Sequence, residues 1–482
     1  MKVAFGKTII TPPEKLGGYL GKTLAGYTPI PKCTGKLDDV HARAVLIEDE
    51  ILGGVKKRLI LIAVDALKLP FVFTSYIKEK IQEKYYIHPD QILIHATHTH
   101  KGPASLGSDE FMKPGGYPAI IWGIAFSSYR GDDRYKVWVA LKIRDMIGEM
   151  LENLQPAKIA WTKKLIEEDV IINRRNPLKR SKSNMSIISF KHAETGKLIG
   201  FVENFAMHPT TLANFTSKLS ADYPGRLVHR VDELTDGEVA AIHITAPAGD
   251  LNPITTCGTD FEALEKNRQP VYGQKGLYKD TTRLGYFLGE KALEIANSIP
   301  DADYFDKFEY ESYVRLFWVP MHDFKEYWSK SWPLNRVYHI VKKYALLKIA
   351  LMLADKDEEP NFPGFALKNR GNDVKVYSII QHIKIKVSKG KKEKRLSITG
   401  VPGELFEEFA NRIYENTPTG PDDTFIFQNA NDWIAYLFPL KEYIKGGYEG
   451  LPSFSAFCGA YVMNNYFELL EDIEAGITGG HN

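Results

Sequence analysis

The sequence predicts an α/β fold in which mixed sheets are flanked by helices, and three stretches lead there. "RLILIAVDAL" (Arg58–Leu67) is a continuous apolar run that reaches Asp65 near its end, as expected of a strand buried on both faces. "FVFTSYIKEKIQEKYY" (Phe71–Tyr86) then places apolar residues at helical spacing with charges on the opposite side. "ILIHAT" (Ile92–Thr97) is a second buried strand. Strand, helix and strand in succession imply parallel pairing within a covered sheet. Ligands in such sheets gather beyond the carboxyl ends of the strands.

The remaining elements follow in order. Asp133–Leu154 reads as an amphipathic helix and "AKIAWTKKLI" as a strand. "NMSIISFKH" and "LIGFVENFAMH" form an expected hairpin about Glu194-Thr195-Gly196. Glu238–Pro253 is a buried strand running into a glycine-containing loop, and Arg283–Ile299 is a helix. Residues 300–375 are dense in aromatics and contain "VYHIVKKYALLKIALML" (Val337–Leu353). That segment reads as a core-packed helix, or as an apolar lid or membrane-touching helix over a lipid-like ligand. Strands resume with "KVYSIIQHIKIKVSK" and "RLSITGVPG", and helices follow through Leu470.

Bulk properties narrow the function. The 62 basic and 60 acidic side chains leave a formal charge of +2, so no global field favours nucleic acid. Cys33, Cys257 and Cys458 are odd in number and lie far apart, which excludes a disulfide framework or a thiolate zinc knuckle. The first residues lack the apolar core of a signal peptide, and nothing reaches the length of a membrane span. A cytoplasmic protein is expected.

Chemistry concentrates in "ILIHATHTHKGPAS", where three of the 13 histidines, His95, His98 and His100, fall within six positions. In extended chain, residues i and i+2 face the same side, so His98 and His100 are expected to address one site. His95, offset by three, should face elsewhere as a core histidine. Histidine and carboxylate recur where other strands end: His208 in "ENFAMHPTTLAN", Asp250 in "TAPAGDLNP" and Glu404 in "ITGVPGELFEEF". Each has a plainer reading by itself: Asp250 as a turn cap, Glu404 as a favourable charge in the first turn of a helix. Together they suit a metal site with a position kept for water.

The segment "THTHKGP" resembles the His-Thr-His-Ser-Gly-Pro signature of the neutral, non-lysosomal ceramidase family. "NFAMHPTTLAN", "GDLNP", "VPGELF", "AYLFPLKEYIKGGYEG" and "KTIITPPEKLGGYLG" are similar to further family segments, colinear over roughly residues 5–455. The resemblance implies a single large catalytic domain over 1–482, with 300–375 as an aromatic-rich insertion or lid. It also implies a neutral-ceramidase-like fold, here without the family's C-terminal immunoglobulin-like domain. It implies one Zn2+ per chain, bound by His98, His208, Glu404 and Tyr436. His100 would sit beside the metal as acid/base or orienting group. Arg174, next to Arg175 in "INRRNP", and Tyr448 in "GGYEG" would contact the reacting carbonyl.

One position departs from the pattern. Asn252 stands where the family has serine, and an amide can donate a hydrogen bond but cannot act as a hydroxyl nucleophile. A covalent mechanism through that residue is excluded, whereas metal-activated water is not. The resemblance thus implies a zinc-dependent amidohydrolase of lipid, and specifically sphingolipid, metabolism. Its substrate would be a ceramide-like or other acylated small molecule, with peripheral membrane contact through 337–353. Three alternatives stand beside it. One is a lactonase or esterase on the same site. Another is a barrel-type amidohydrolase using His98, His100, His208, His243 and Asp250. The third is a non-catalytic lipid-binding protein on a degenerate hydrolase scaffold.

Overall fold

An eight-stranded sheet organises the chain as far as Thr245. Its order is Ala240–Thr245, Leu198–Phe205, Asn184–His192, Gln155–Leu165, Lys2–Ile9, His41–Glu50, Lys56–Val64 and Ile92–Ala96. The structure is a computed structural model that describes residues 1–27, 31–50, 56–107, 133–176, 180–254, 276–320, 375–450, 453 and 455–477. Interior pairs are antiparallel, and the two parallel pairs lie at opposite ends of the sheet. One is the expected unit of Lys56–Val64 and Ile92–Ala96, joined through the helix Phe71–Tyr85. The other pairs Leu198–Phe205 with Ala240–Thr245 and connects through the helix Asp222–Leu234, which periodicity alone had not singled out.

Alternation along the strands divides the interior. Ala42, Ala44 and Leu46, with Ile60, Ile62 and Val64, pack under the helices Phe71–Tyr85 and Asp133–Glu152. Val45, Ile47, Leu59 and Leu61 point the opposite way, against a second sheet. That sheet runs Lys307–Pro320, Lys375–Lys389, Lys392–Gly400 and Thr424–Phe427. Ile383, Ile385 and Val387 fill the space between the sheets, while Ile380 and Ile426 face the outer helices Glu407–Asn416 and Cys458–Glu474. The layers are therefore helix, sheet, sheet, helix, each apolar face covered by the next.

The predicted elements recur with shifted ends. Arg58–Leu67 becomes Lys56–Val64, and Arg283–Ile299 becomes a helix over Tyr278–Ser298. The hairpin of Asn184–His192 and Leu198–Phe205 turns through Gly196 at φ 70°. Three expectations are corrected. The architecture is not a barrel, which removes the barrel-type reading. Glu404 does not open a helix: Glu404–Leu405 is a short strand parallel to Tyr436–Leu437, and the helix starts at Glu407. Residues 97–100 are not extended, because His98 takes the left-handed conformation at φ 70°. Within 300–375, Lys307–Pro320 is a strand paired along its length with Lys375–Lys389. The segment 337–353 lies outside the described residues. Among the described residues no helix is long and apolar enough to cross a membrane.

Candidate metal centre

The loop after Ile92–Ala96 is shaped by Asp65 at the end of the neighbouring strand. Its carboxylate accepts from the His41 amide at 2.8 Å, the Arg43 guanidinium at 2.9 Å and the Thr97 hydroxyl at 3.3 Å. The amides of Thr97 and His98 donate to the carbonyls of Val64 and Ala66. The chain thus turns sharply at His98, a residue for which left-handed backbone is uncommon and costs ~1 kcal/mol or more. That turn, rather than strand alternation, aims both imidazoles inward: their ring centroids are 5.0 Å apart at 83°.

His208 approaches from near the opposite end of the sheet, three residues beyond Leu198–Phe205, with its amide donating to the Leu251 carbonyl at 2.9 Å. Its ring centroid is 4.6 Å from that of His98. Glu404 arrives from the short strand that follows Lys392–Gly400 of the second sheet, with its Oε2 3.2 Å from His98 Nε2 and 3.7 Å from His208 Nε2. His100 Nε2 is 3.1 Å from His208 Nε2. His98, His100 and His208 form the group whose nitrogens could hold a metal ion, and all three are buried.

The protons in this cluster point outward. His98 Nδ1 bonds the Leu67 carbonyl at 2.6 Å, His100 Nδ1 that of Gly26 at 2.8 Å, and His208 Nδ1 that of Ala248 at 3.1 Å. A carbonyl only accepts, so each Nδ1 carries a proton and each ring turns its Nε2 to the centre. Burial, then the nearby His98, hold His100 and His208 well below the usual imidazole range. Burial opposes ionisation of Glu404, but His98, Arg174 and the Tyr436 hydroxyl outweigh it and keep its carboxyl below the ordinary value. The second oxygen of Glu404 accepts from the Trp433 indole at 3.0 Å. His98 Nε2 and Glu404 Oε2 are buried without a hydrogen bond. Buried imidazole nitrogens and a carboxylate oxygen converging in this way fit a bound cation, and the carbonyl partners behind the imidazoles are those that metal-binding histidines use.

The other predicted residues gather at one side. Tyr436 is buried in register with Glu404, and the Arg174 guanidinium carbon stands 5.0 Å from its ring centroid. Arg174 also donates to the Gly249 carbonyl and pairs with Glu449 at 3.0 Å. Arg175 turns away, bonding Glu442 and Glu449 at 3.0 Å each together with the carbonyls of Glu442 and Gly446. The adjacent arginines are thereby distinguished: Arg174 faces the cluster and Arg175 fastens the loop. Asn252 lies on the strand Leu251–Pro253, and its buried Oδ1 has no hydrogen bond. Tyr448 begins a short 3-10 turn, and its side chain lies outside the described set.

Two residues named for the barrel-type reading lie outside the cluster. Asp250 caps the helix at the Glu407 amide, 2.9 Å away, and accepts from Asn173 at 2.9 Å. Burial raises its carboxyl to about 6 despite those bonds. His243 pairs with Glu203 at 2.5 Å inside the core. His95, as expected, faces elsewhere, with Nδ1 on the Gln428 carbonyl at 2.6 Å and Nε2 accepting from the Thr245 amide at 3.0 Å. Sequence reading missed Trp433, Glu449 and Gly26. Gly26 has φ 108° and lies so close to His100 that a Cβ would stand 2.5 Å from its ring. No local pattern marks these residues, because each acts on a partner distant in sequence.

Comparisons with known proteins agree with this geometry. By structure the chain is similar to neutral ceramidase from Pseudomonas aeruginosa, with TM-score 0.68 and 16% identity over 99% of this chain and 75% of the other. It is also similar to a structure described as ceramidase complexed with C2, with TM-score 0.69 and 17% identity over 100% and 76% of the two chains. At such identities the likeness establishes the fold. No curated protein matches by sequence. The profile of the family described as neutral/alkaline non-lysosomal ceramidase, N-terminal, matches residues 16–326, more than half of the chain. With the grouped histidines on that fold, the chain belongs to the neutral/alkaline non-lysosomal ceramidase family.

Proposed function

We propose that this chain is a zinc-dependent hydrolase that cleaves the amide bond of a ceramide-like or other N-acylated small molecule. The observation that carries the reading is the inward convergence of three imidazole Nε2 atoms and a buried carboxylate oxygen on one point. His98, His208 and Glu404, with Tyr436, would hold one zinc ion. Zinc supplies Lewis acidity there and lowers the pKa of a water to ~7.

The protein's own groups divide the remaining work. The carbonyls of Leu67, Gly26 and Ala248 fix ring orientation, and Trp433 fixes Glu404. Arg174, held beside Tyr436 and Glu449, stabilises negative charge developing on the substrate carbonyl, a contribution of ~3 kcal/mol for one well-placed donor. Tyr448 joins it in that role. His100, which the resemblance leaves out of the ligand set and whose Nε2 lies 3.1 Å from His208 Nε2, takes a proton from the attacking water and passes it to the departing amine. Asn252 orients the substrate and supplies no nucleophile.

His98→Ala and Glu404→Ala should lose both zinc, read by elemental analysis, and hydrolysis of a panel of N-acyl amides. His100→Ala should retain zinc and lose ~100-fold or more in kcat. A fully active, metal-free His98→Ala protein refutes the assignment. Asn252 in place of serine favours a second reading, a lactonase or esterase on the same site, which predicts turnover of lactones or esters but not amides. Absence of chelator-sensitive turnover on either class would instead indicate a lipid-binding protein.

A further inference from the structure

We infer that the buried Glu203–His243 pair is a positioning device for both metal-facing imidazoles, acting through the hydroxyls of Tyr223 and Thr245. The inference rests on the metal reading above. His243 Nδ1 lies 2.5 Å from Glu203 Oε2, and both side chains are sealed in the core. The other ring nitrogen, Nε2, stands 3.2 Å from Thr245 Oγ1 and 3.4 Å from the Tyr223 hydroxyl.

Counting protons settles the direction of these bonds. The Tyr223 hydroxyl donates to the Met207 carbonyl at 2.6 Å, and the Thr245 hydroxyl donates to the Thr97 carbonyl at 2.8 Å. Each hydroxyl has one proton, and a carbonyl can only accept, so neither has a proton left for His243. His243 Nε2 must therefore be the donor to both oxygens. The proton on the opposite side of the ring is shared with Glu203, so the carboxylate fixes the ring in this donor state, as a carboxylate behind a histidine commonly does.

Two arms leave the ring and end one residue short of the metal cluster. Met207 precedes His208, and Thr97 precedes His98. The Thr245 amide also donates to His95 Nε2 at 3.0 Å, and the His95 ring is fastened to the Gln428 carbonyl. His98 and His208 lie on loops that follow strands near opposite ends of the eight-stranded sheet, and among the described residues no ladder pairs those two strands. The hydroxyl arms join the two loops behind the rings, in addition to the main-chain bond from the His100 amide to the Pro209 carbonyl at 3.4 Å. Glu203 Oε1 is buried without a hydrogen bond, so the pair is a costly way to fill a core and fits a positioning role better than a stabilising one.

The test uses the full chain and competition between zinc and a chelator of known affinity. Tyr223→Phe and Thr245→Val each remove one hydroxyl at nearly constant volume. Each should weaken zinc binding about tenfold, and the double Glu203→Gln/His243→Gln variant should weaken it up to about 100-fold. Thr245→Ser keeps the hydroxyl and should restore the affinity that Thr245→Val loses. Thermal midpoints of the metal-free proteins, measured in parallel, separate positioning from folding. Unchanged affinity in both hydroxyl variants and in the double variant overturns the inference while leaving the zinc site standing. Losses that track metal-free stability, with Thr245→Ser no better than Thr245→Val, overturn it in favour of a structural role. A wild-type protein that takes up no zinc overturns the metal reading, and the positioning role with it.

Discussion

At the scale of single residues, the site works through directed lone pairs, and small changes behind it should be felt within it. Trp433 holds one oxygen of Glu404 and leaves the other facing two imidazoles. Trp433→Phe keeps an aromatic ring, though a smaller one, and removes the donor, so zinc affinity should fall about tenfold in a chelator competition. Gly26 illustrates a steric constraint. Its carbonyl receives the His100 proton, and its φ of 108° and contact with the ring leave no room for a Cβ. Gly26→Ala should displace the imidazole and lower kcat ~100-fold with zinc retained, measured by steady-state kinetics and metal analysis. His98, His208 and Glu404 were legible in the sequence because histidine and carboxylate recur there where strands end and the segments resemble one family, although Asp250 shares the pattern and lies outside the cluster. Gly26 and Trp433 were not, since a glycine that makes room and an indole that donates look like any others until their partners arrive.

At the scale of elements, burial of charge provides a test of the helix Phe71–Tyr85. Lys78 is buried on it, and burial lowers its ammonium from 10.5 to about 7, with Asp90 opposing. The folded protein therefore binds fewer protons than the unfolded chain between about 7 and 10.5, and stability should rise with pH through that window. Below about 7 the lysine is charged in both states and its contribution is flat. Lys78→Met should remove the rise and stabilise the protein by ~3 kcal/mol at neutral pH, read from urea unfolding at two pH values. The strand–helix–strand unit around this helix was readable because periods of 2 and 3.6 residues are local properties. The conformation at His98 was not, because its left-handed turn is imposed by Asp65 and the carbonyl of Ala66, groups remote in sequence. Glu404 was assigned to a helix for the same reason: its strand exists only because Tyr436 pairs with it.

At the scale of the whole molecule, three separate stretches meet at one centre: His98 and His100 from one end of the large sheet, His208 from near the other, and Glu404 from the short strand that follows Lys392–Gly400 of the second sheet. A ligand gripping all three should stabilise the fold as a unit. Zinc at a hundredfold excess over its Kd should add ~2.7 kcal/mol, seen as a thermal midpoint that falls when a chelator is added and returns with the metal. Arg175 ties residues 173–176 to the loop 442–449 through two carboxylates and two carbonyls. Arg175→Met should cost ~1–2 kcal/mol in urea unfolding, because it leaves part-buried acceptors without their donor. By itself the sequence determined the α/β class, the main strands and helices, and the residue types able to hold a metal, since these depend on composition and on spacing along the chain. Only the tertiary structure decided which of them share a centre. It set His243 and Asp250 apart, turned Arg174 inward and Arg175 outward, and directed the imidazole protons away from one another. Those choices are made by contacts between residues from 31 to 274 positions apart, and no local pattern encodes such contacts.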